Sequence, residues 1–383
     1  MQEIPDILNN KKLPALDGLR AISISLVILS HFIFYSDLST KRNIGAAGVD
    51  IFFVISGFLI TTLLLKEQIL NGRVSLRKFY MRRAIRILPL VILFLLTLLL
   101  LNQIFKLQIG GPSFLASIFF VRNLPIPKIN DWYTAHLWSL AVEQQFYLIF
   151  PFLLTRMKIN NYKKFILTFI IAIPFLNFLF AHNIGFSYLN KPTHIAAMIF
   201  MNLFGKGTAF ILVGSYLSVL MFTSPKLPSF IGNINRRWLS LFIFILALSI
   251  RIPTLSSDIH FFSDIIFAFL IGIVILLNLQ EENYLSGFLS IRLIAQTGVL
   301  SYSLYIWQQI FTIKVPWANS FKYADSVSFN LIMLVLVSLI SYHLFEKKFL
   351  RLRSRFTNIS THNGIKLYGL LLTKKFSLLH SNR

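Results

Sequence analysis

Ten long apolar runs joined by short polar stretches leave this chain few ways to fold. About 20 mostly apolar residues cover the hydrocarbon core of a bilayer. Runs of that kind lie near Leu13–Tyr35, Ala46–Leu65, Ile85–Phe105, His136–Leu154, Phe165–Ala181, Ala197–Phe222, Trp238–Ile252, Phe261–Gln280, Leu293–Val315 and Val327–Glu346. The run at Ser113–Val121 is too short to cross and reads as a re-entrant or interfacial segment. The first residues are mostly polar. The run from Leu13 exceeds a signal-peptide core and lacks a small-x-small cleavage site, so it reads as a retained first helix. The expectation is an all-α, polytopic membrane protein of about ten transmembrane helices, both termini cytoplasmic, in the inner (plasma) membrane. No internal repeat is apparent, and no loop is long enough for a second folded domain. The organisation expected is a membrane domain over residues 1–355 and a basic cytoplasmic tail over 356–383. Within that tail, Ile365–Leu379 either lies on the membrane surface or is disordered.

Charge fits the same picture. The formal net charge is +23, yet only 13% of residues are charged and 56% are hydrophobic, with a mean hydropathy of +0.69. Soluble proteins carry about 25% charged residues. A disordered chain and a basic, soluble nucleic-acid binder are therefore excluded, and no nucleic-acid partner is expected. With a cytoplasmic N-terminus, the inner segments are Lys11 and Lys12, Lys66–Arg86, Arg156 to Lys164, Lys226 to Arg237, Arg292 and the tail. They and Arg20 collect about 27 of the 37 basic residues, as the positive-inside rule demands. The basic surplus is thus a topology signal and an attraction to anionic lipid. There is no cysteine, which excludes disulfides, thiolate nucleophiles, Cys-ligated zinc and iron–sulfur clusters, and no metal site is assigned.

Ionisable residues inside spans cost at least about 2.5–3.5 kcal/mol on insertion scales, so each is a functional candidate. The first span carries Asp17, Arg20 and His31. Arg20 and His31, eleven residues apart, point within about 20° of each other and lie about 16 Å apart along a helix axis. Asp17 lies one turn from Arg20 and can pair with it. Asp50 opens the second span, and Gly57, two turns below it, suits close helix packing. In the fourth span His136, Ser139, Glu143 and Tyr147 recur at spacings of three and four and share a face, with Glu143 about 10 Å below the outer end. His31, Asp50 and Glu143 then lie at similar depth in the outer third. That placement suits acid–base chemistry; a buried polar network that holds helices together is the alternative. Arg83 and Arg86 fall at the start of the third span, one turn apart, where two guanidinium groups would suit a phosphate ligand. A purely topological role is the alternative.

These stretches resemble the membrane-bound acyltransferase family 3, the multi-span O-acyltransferases of bacterial surface and secreted sugars. The likeness rests on Leu16-Asp17-Gly18-Leu19-Arg20-Ala21 with His31, on Gly48 to Phe58, on Arg82 to Pro89 and on His136 to Tyr147, in that order. Weaker echoes are Ser301 to Trp307 and Phe345-Glu346-Lys347. The resemblance implies an acyl-coenzyme A donor, acetyl above all, on the cytoplasmic side and a sugar hydroxyl on or beyond the outer side. It implies that Arg20 and His31 are the family's Arg-x10-His pair, that Arg83 and Arg86 are its Arg-x-x-Arg pair, and that Glu143 is its acidic position. Two departures stand out: Gln308 follows Trp307 where the family usually has His, and Lys347 follows Glu346 where it has Pro. Many relatives carry a fused hydrolase-like domain; this chain shows none and is expected to act alone or with a separate partner.

The mechanism expected is transfer from an acyl-coenzyme A held by Arg83, Arg86 and Arg20. His31 is the general base on the acceptor hydroxyl, and Glu143 or Asp50 orients the imidazole. Acyl-coenzyme A is a donor substrate, and no resident cofactor is expected. Without cysteine, direct transfer is simplest, with an acyl-histidine or acyl-serine intermediate left open. Lipopolysaccharide, capsule, exopolysaccharide, peptidoglycan or a small glycoside all suit the acceptor role. The alternative class is a proton-coupled secondary transporter using the same His, Asp and Glu. The absence of an evident duplicated half counts against it.

Overall fold

The computed structural model describes residues 4–8, 13–32, 38–126, 129, 131–182, 191–205, 207–224, 237–252, 257–279, 283–318, 320–353 and 356. Every regular element among them is helical. We number these α1 (Pro14–Phe32), α2 (Leu38–Asn71), α3 (Leu76–Phe105), α4 (Gly111–Ile118), α5 (Leu137–Arg156), α6 (Ile159–Ala181), α7 (Lys191–Phe204), α8 (Thr208–Thr223), α9 (Leu239–Arg251), α10 (Ser257–Leu277), α11 (Tyr284–Leu289), α12 (Arg292–Phe311), α13 (Val327–Ile340) and α14 (Lys347–Arg353). A π-helical turn, Ser341–Glu346, joins the last two. The tail from 357, the pair Lys11 and Lys12, and residues 226–236 lie outside the described residues, as does most of the proposed cytoplasmic tail domain.

Among the described residues each of the ten apolar runs lies mainly on helix, with Ala197–Phe222, read as one span, divided between α7 and α8. By length and apolarity, however, six qualify to cross a membrane: α1, α2, α3, α5, α6 and the final stretch Val327–Leu352. The pair α7–α8, bent by 47°, is either a broken seventh span or a re-entrant loop. Leu239–Arg251 and Ser263–Leu277 are shorter. α12 has 20 residues but carries Gln296, Ser301, Ser303, Gln308 and Gln309, which dilute its apolar character. The second helix is also longer than its apolar run. It starts at Leu38, so Asp50 lies three turns inside it rather than near its start. α4 has eight residues, too few to cross, as its sequence led one to expect.

Packing explains which helices tolerate polar residues. α2 is central, with 72% of its most apolar window buried, against 22% for α6 and for Val327–Leu352. It lies against α1 on one side and α8 on another. Lipid tails provide no hydrophobic drive for helix association, so close backbone approach must supply it. Gly57 of α2 faces the Ile211 carbonyl of α8, and Gly214 of α8 faces the Val54 carbonyl of α2; a Cβ at either position would run into the partner backbone. The packing role read for Gly57 is therefore observed. At the far end of α2, Gly72 takes φ +70° and turns the chain back, and the Ser75 side chain caps α3 by accepting from the Lys78 N–H. Glu67 ties this basic hairpin together: it accepts from the Ser75 N–H at 3.0 Å and from Arg82 at 2.7 Å.

Candidate functional site: a histidine cavity and an arginine cluster

Two polar centres lie within the helices. The first is a cavity of about 1190 Å³ whose walls include His31, Asp50, Trp132, His136, Arg251 and Gln308. His31 sits in the last turn of α1. Its Nδ1 lies 2.7 Å from the Val27 carbonyl oxygen, which can only accept, so Nδ1 carries the proton and donates. The Ser30 hydroxyl donates to the same oxygen at 2.7 Å and lies 3.2 Å from Nδ1. This tautomer puts the basic lone pair on Nε2. The ring packs edge-on against Trp132 with centroids 5.6 Å apart.

Trp132 comes from the loop that follows α4, and polar bonds hold that loop. Arg122 donates to Thr134 Oγ1 at 3.0 Å and to the Asp131 carbonyl at 3.2 Å, while Asp131 accepts from the Thr134 N–H and hydroxyl. Burial pulls the Arg122 guanidinium below its ordinary pKa, with Asp131 opposing; burial pushes the Tyr133 phenol up. Asn123 and Gln145 exchange amide hydrogen bonds at 3.0 and 2.9 Å, anchoring the loop to α5.

Asp50 is buried in the cavity wall. Arg251, at the end of α9, donates to its Oδ2 through Nε at 3.0 Å and Nη2 at 2.9 Å, and lies 3.5 Å from Asp264 of α10. Among the described residues neither Asp50 nor Glu143 hydrogen-bonds His31; the Val27 carbonyl and Ser30 set the imidazole instead. The three residues grouped by depth are thus divided by their partners: His31 and Asp50 line the cavity, whereas Glu143 bonds to Ser56 and Tyr147.

Glu143 belongs with the second centre. It accepts from Ser56 at 2.5 Å and from Tyr147 one turn below. The Arg83 guanidinium lies over the Tyr147 ring, 5.2 Å from its centroid, and over Phe79 at 5.7 Å. Arg20 pairs with Asp17 at 3.0 Å, as the one-turn spacing led one to expect, and feels the charge of Arg86. Among the described residues Arg86 makes no ion pair, although it interacts at longer range with Glu346. The π-helical turn brings Glu346 against the Ser303 hydroxyl, which donates to it. The structure thus draws Arg20, Arg83, Arg86 and Glu143 together.

The fourth-span face read from spacing joins the two centres. His136 lies in the cavity wall, Ser139 one turn on, then Glu143 and Tyr147. Across from it α12 supplies Tyr305, whose hydroxyl lies 2.5 Å from Ser139 Oγ and donates to the His136 carbonyl at 2.5 Å, and Tyr302, which donates to the Ile87 carbonyl of α3 at 2.8 Å. Trp132, Arg251, Tyr305 and Gln309 were not singled out as site residues. Arg251 falls at the very end of the run Trp238–Ile252, and Tyr305 was only part of a weak motif.

The chain belongs to the acyltransferase 3 family: the family's acyltransferase domain matches residues 13–346. It is similar to the peptidoglycan O-acetyltransferase OatA of Listeria monocytogenes, at 30% identity over 338 residues, 80% of this chain and 51% of that protein. It is also similar to the O-acetyltransferase OatA of Staphylococcus aureus, at 39% identity over 165 residues, 39% of this chain and 26% of that protein. The chain therefore spans about half or less of the length of these relatives. No solved structure matches it.

Proposed function

We propose that this chain is a membrane O-acetyltransferase that takes its acyl group from acyl-coenzyme A on the arginine side and delivers it to a sugar hydroxyl in the histidine cavity. One observation carries the reading: a single face of α5, opposed by the tyrosines of α12, joins a cluster of three arginines to a roomy cavity that holds a correctly tautomerised histidine. The relatives' names, which specify O-acetylation and in one case peptidoglycan, support a cell-envelope carbohydrate as acceptor.

The chemistry follows from the tautomer. The acceptor O–H gives its proton to His31 Nε2 as its oxygen attacks the thioester carbonyl. The C–S bond then breaks, and the departing thiolate takes the proton back from the imidazolium. The Nδ1–H stays on the Val27 carbonyl throughout, so the ring keeps its orientation in both charge states. Glu143 fixes Ser56 and Tyr147 beside Arg83, and Asp50 with Arg251 shapes the cavity wall. The test is purified protein in lipid nanodiscs with labelled acetyl-coenzyme A and an oligosaccharide acceptor. Transfer of label to the sugar supports the reading. An intact thioester, together with uptake of substrate into proteoliposomes, would replace it with the transporter.

The donor arm makes a separate prediction. A hydrogen bond to a charged group contributes about 1.5–3 kcal/mol, so Arg86→Ala should weaken coenzyme A binding by about 10- to 100-fold. Its unfolding midpoint should stay near wild type, because Arg86 makes no ion pair among the described residues. Calorimetric titration with coenzyme A measures this, and unchanged affinity would return the arginines to topology.

The reading also needs the pair α7–α8, α9, α10 and α12 to cross, giving ten crossings with the arginine cluster on the cytoplasmic side. The chain has no cysteine, so a single Cys placed at Gly72 reports its side directly. It should react with an impermeant maleimide in inverted vesicles and not in intact cells; the opposite pattern would reverse the orientation.

A further inference from the structure

Gln308 and Gln309 end α12 and line the same cavity as His31 and Trp132. Both are buried. A buried amide can point either way, but here a backbone carbonyl fixes the direction. The Trp132 carbonyl oxygen can only accept, so the Gln309 group 2.7 Å from it is the amide nitrogen. In return the Trp132 indole N–H donates to the Gln309 carbonyl at 3.1 Å. The Gln309 amide oxygen is thereby turned toward Gln308, whose Nε2 lies 2.9 Å away and must be the donor. The Gln308 carbonyl accepts from Thr312, which ties the backbone at this end of the helix. Four groups thus form a directed chain: Gln308 donates to Gln309, Gln309 to the Trp132 backbone, and the Trp132 ring braces His31.

We propose that Gln308 and Gln309 are positioning residues for His31, acting through Trp132, and that position 308 requires a hydrogen-bond donor rather than a group that exchanges protons. The inference rests on the assignment of His31 as base. Among the described residues, one helix carbonyl and a neighbouring serine bond to the imidazole, and Trp132 packs against its ring. Trp132 stands on a loop, and the paired bonds from Gln309 fix both its backbone and its indole. A loosened Trp132 widens the range of imidazole orientations, and small misplacements of a reacting group are costly in rate.

The experiment compares Gln308→Met, Gln308→Leu and Gln308→His, each assayed for kcat, for the acetyl-coenzyme A KM and for its unfolding midpoint. Gln308→Met keeps close to the volume but presents no donor, so kcat should fall about tenfold or more while the donor KM stays put. Gln308→His supplies a ring N–H and should restore most of the rate with an unchanged pH–rate profile. Gln308→Leu should behave like Gln308→Met, and should it fail to fold, Gln308→Met alone decides. In a Trp132→Leu background, Gln308→Met should cost little more, because both changes break the same chain. Wild-type kcat in Gln308→Met, or a new ionisation in the pH–rate profile of Gln308→His, would overturn the inference. A His31→Gln variant that turns over normally would remove the reading beneath it, so the two failures are distinguishable.

Discussion

His31→Gln is expected to lower acetyl transfer by about 10²–10⁴-fold, the usual contribution of general acid–base catalysis. Glutamine offers an amide of similar reach and can still donate to the Val27 carbonyl, as the imidazole Nδ1–H does at 2.7 Å. What it lacks is a lone pair basic enough to take a proton from an alcohol. The loss should therefore appear in kcat. Binding of coenzyme A, which the proposal assigns to Arg20, Arg83 and Arg86 at the other end of the α5 face, should remain near wild type. Insertion and thermal stability should change little. Single-turnover assays with labelled donor separate these quantities, and near-normal turnover in His31→Gln would reduce the residue to a packing role.

The second large effect is on stability. Arg251→Ala is expected to destabilise the protein by about 3–5 kcal/mol, because it leaves the buried Asp50 carboxylate without the two N–H donors that now face its Oδ2. Asp264, 3.5 Å from the same guanidinium, adds to the imbalance. The double change Asp50→Asn with Arg251→Gln should recover much of the loss, since it removes the charges while keeping groups able to hydrogen-bond. Unfolding monitored in detergent compares the variants. Equal stability of Arg251→Ala and wild type would mean that the cavity wall is hydrated enough to screen the carboxylate.

Helical spacing carried much of the site. The three-and-four pattern from His136 to Tyr147 is one face in the structure, and the Asp17–Arg20 turn is an ion pair. Position along a helix gave depth, which is why His31, Asp50 and Glu143 looked like one group. It gave no information on which neighbour each helix turns toward. Asp50 meets Arg251, 201 residues away in the chain, and Glu143 meets Ser56, 87 residues away. Partners so distant leave no periodic mark in a single sequence. Trp132 was hidden for a different reason: it stands in an irregular loop whose shape depends on Arg122, Asp131 and Thr134 acting together. The ten apolar runs and the six helices long and apolar enough to cross differ partly through composition. α12 carries Tyr305, Gln308 and Gln309 on its cavity side, and these polar groups lower its apolarity below that of those six helices.

The contact where Tyr305 meets Ser139 and the His136 carbonyl bears on the cell's energy supply. A polar path between the two faces of a bilayer invites a file of water molecules, and a file of water conducts protons. Here the hydroxyls that would anchor such a file already satisfy one another and a backbone oxygen, so they present few open valences to solvent. For a protein that spans the bilayer as proposed, a junction closed in this way is the place where a proton-conducting file of water would be interrupted.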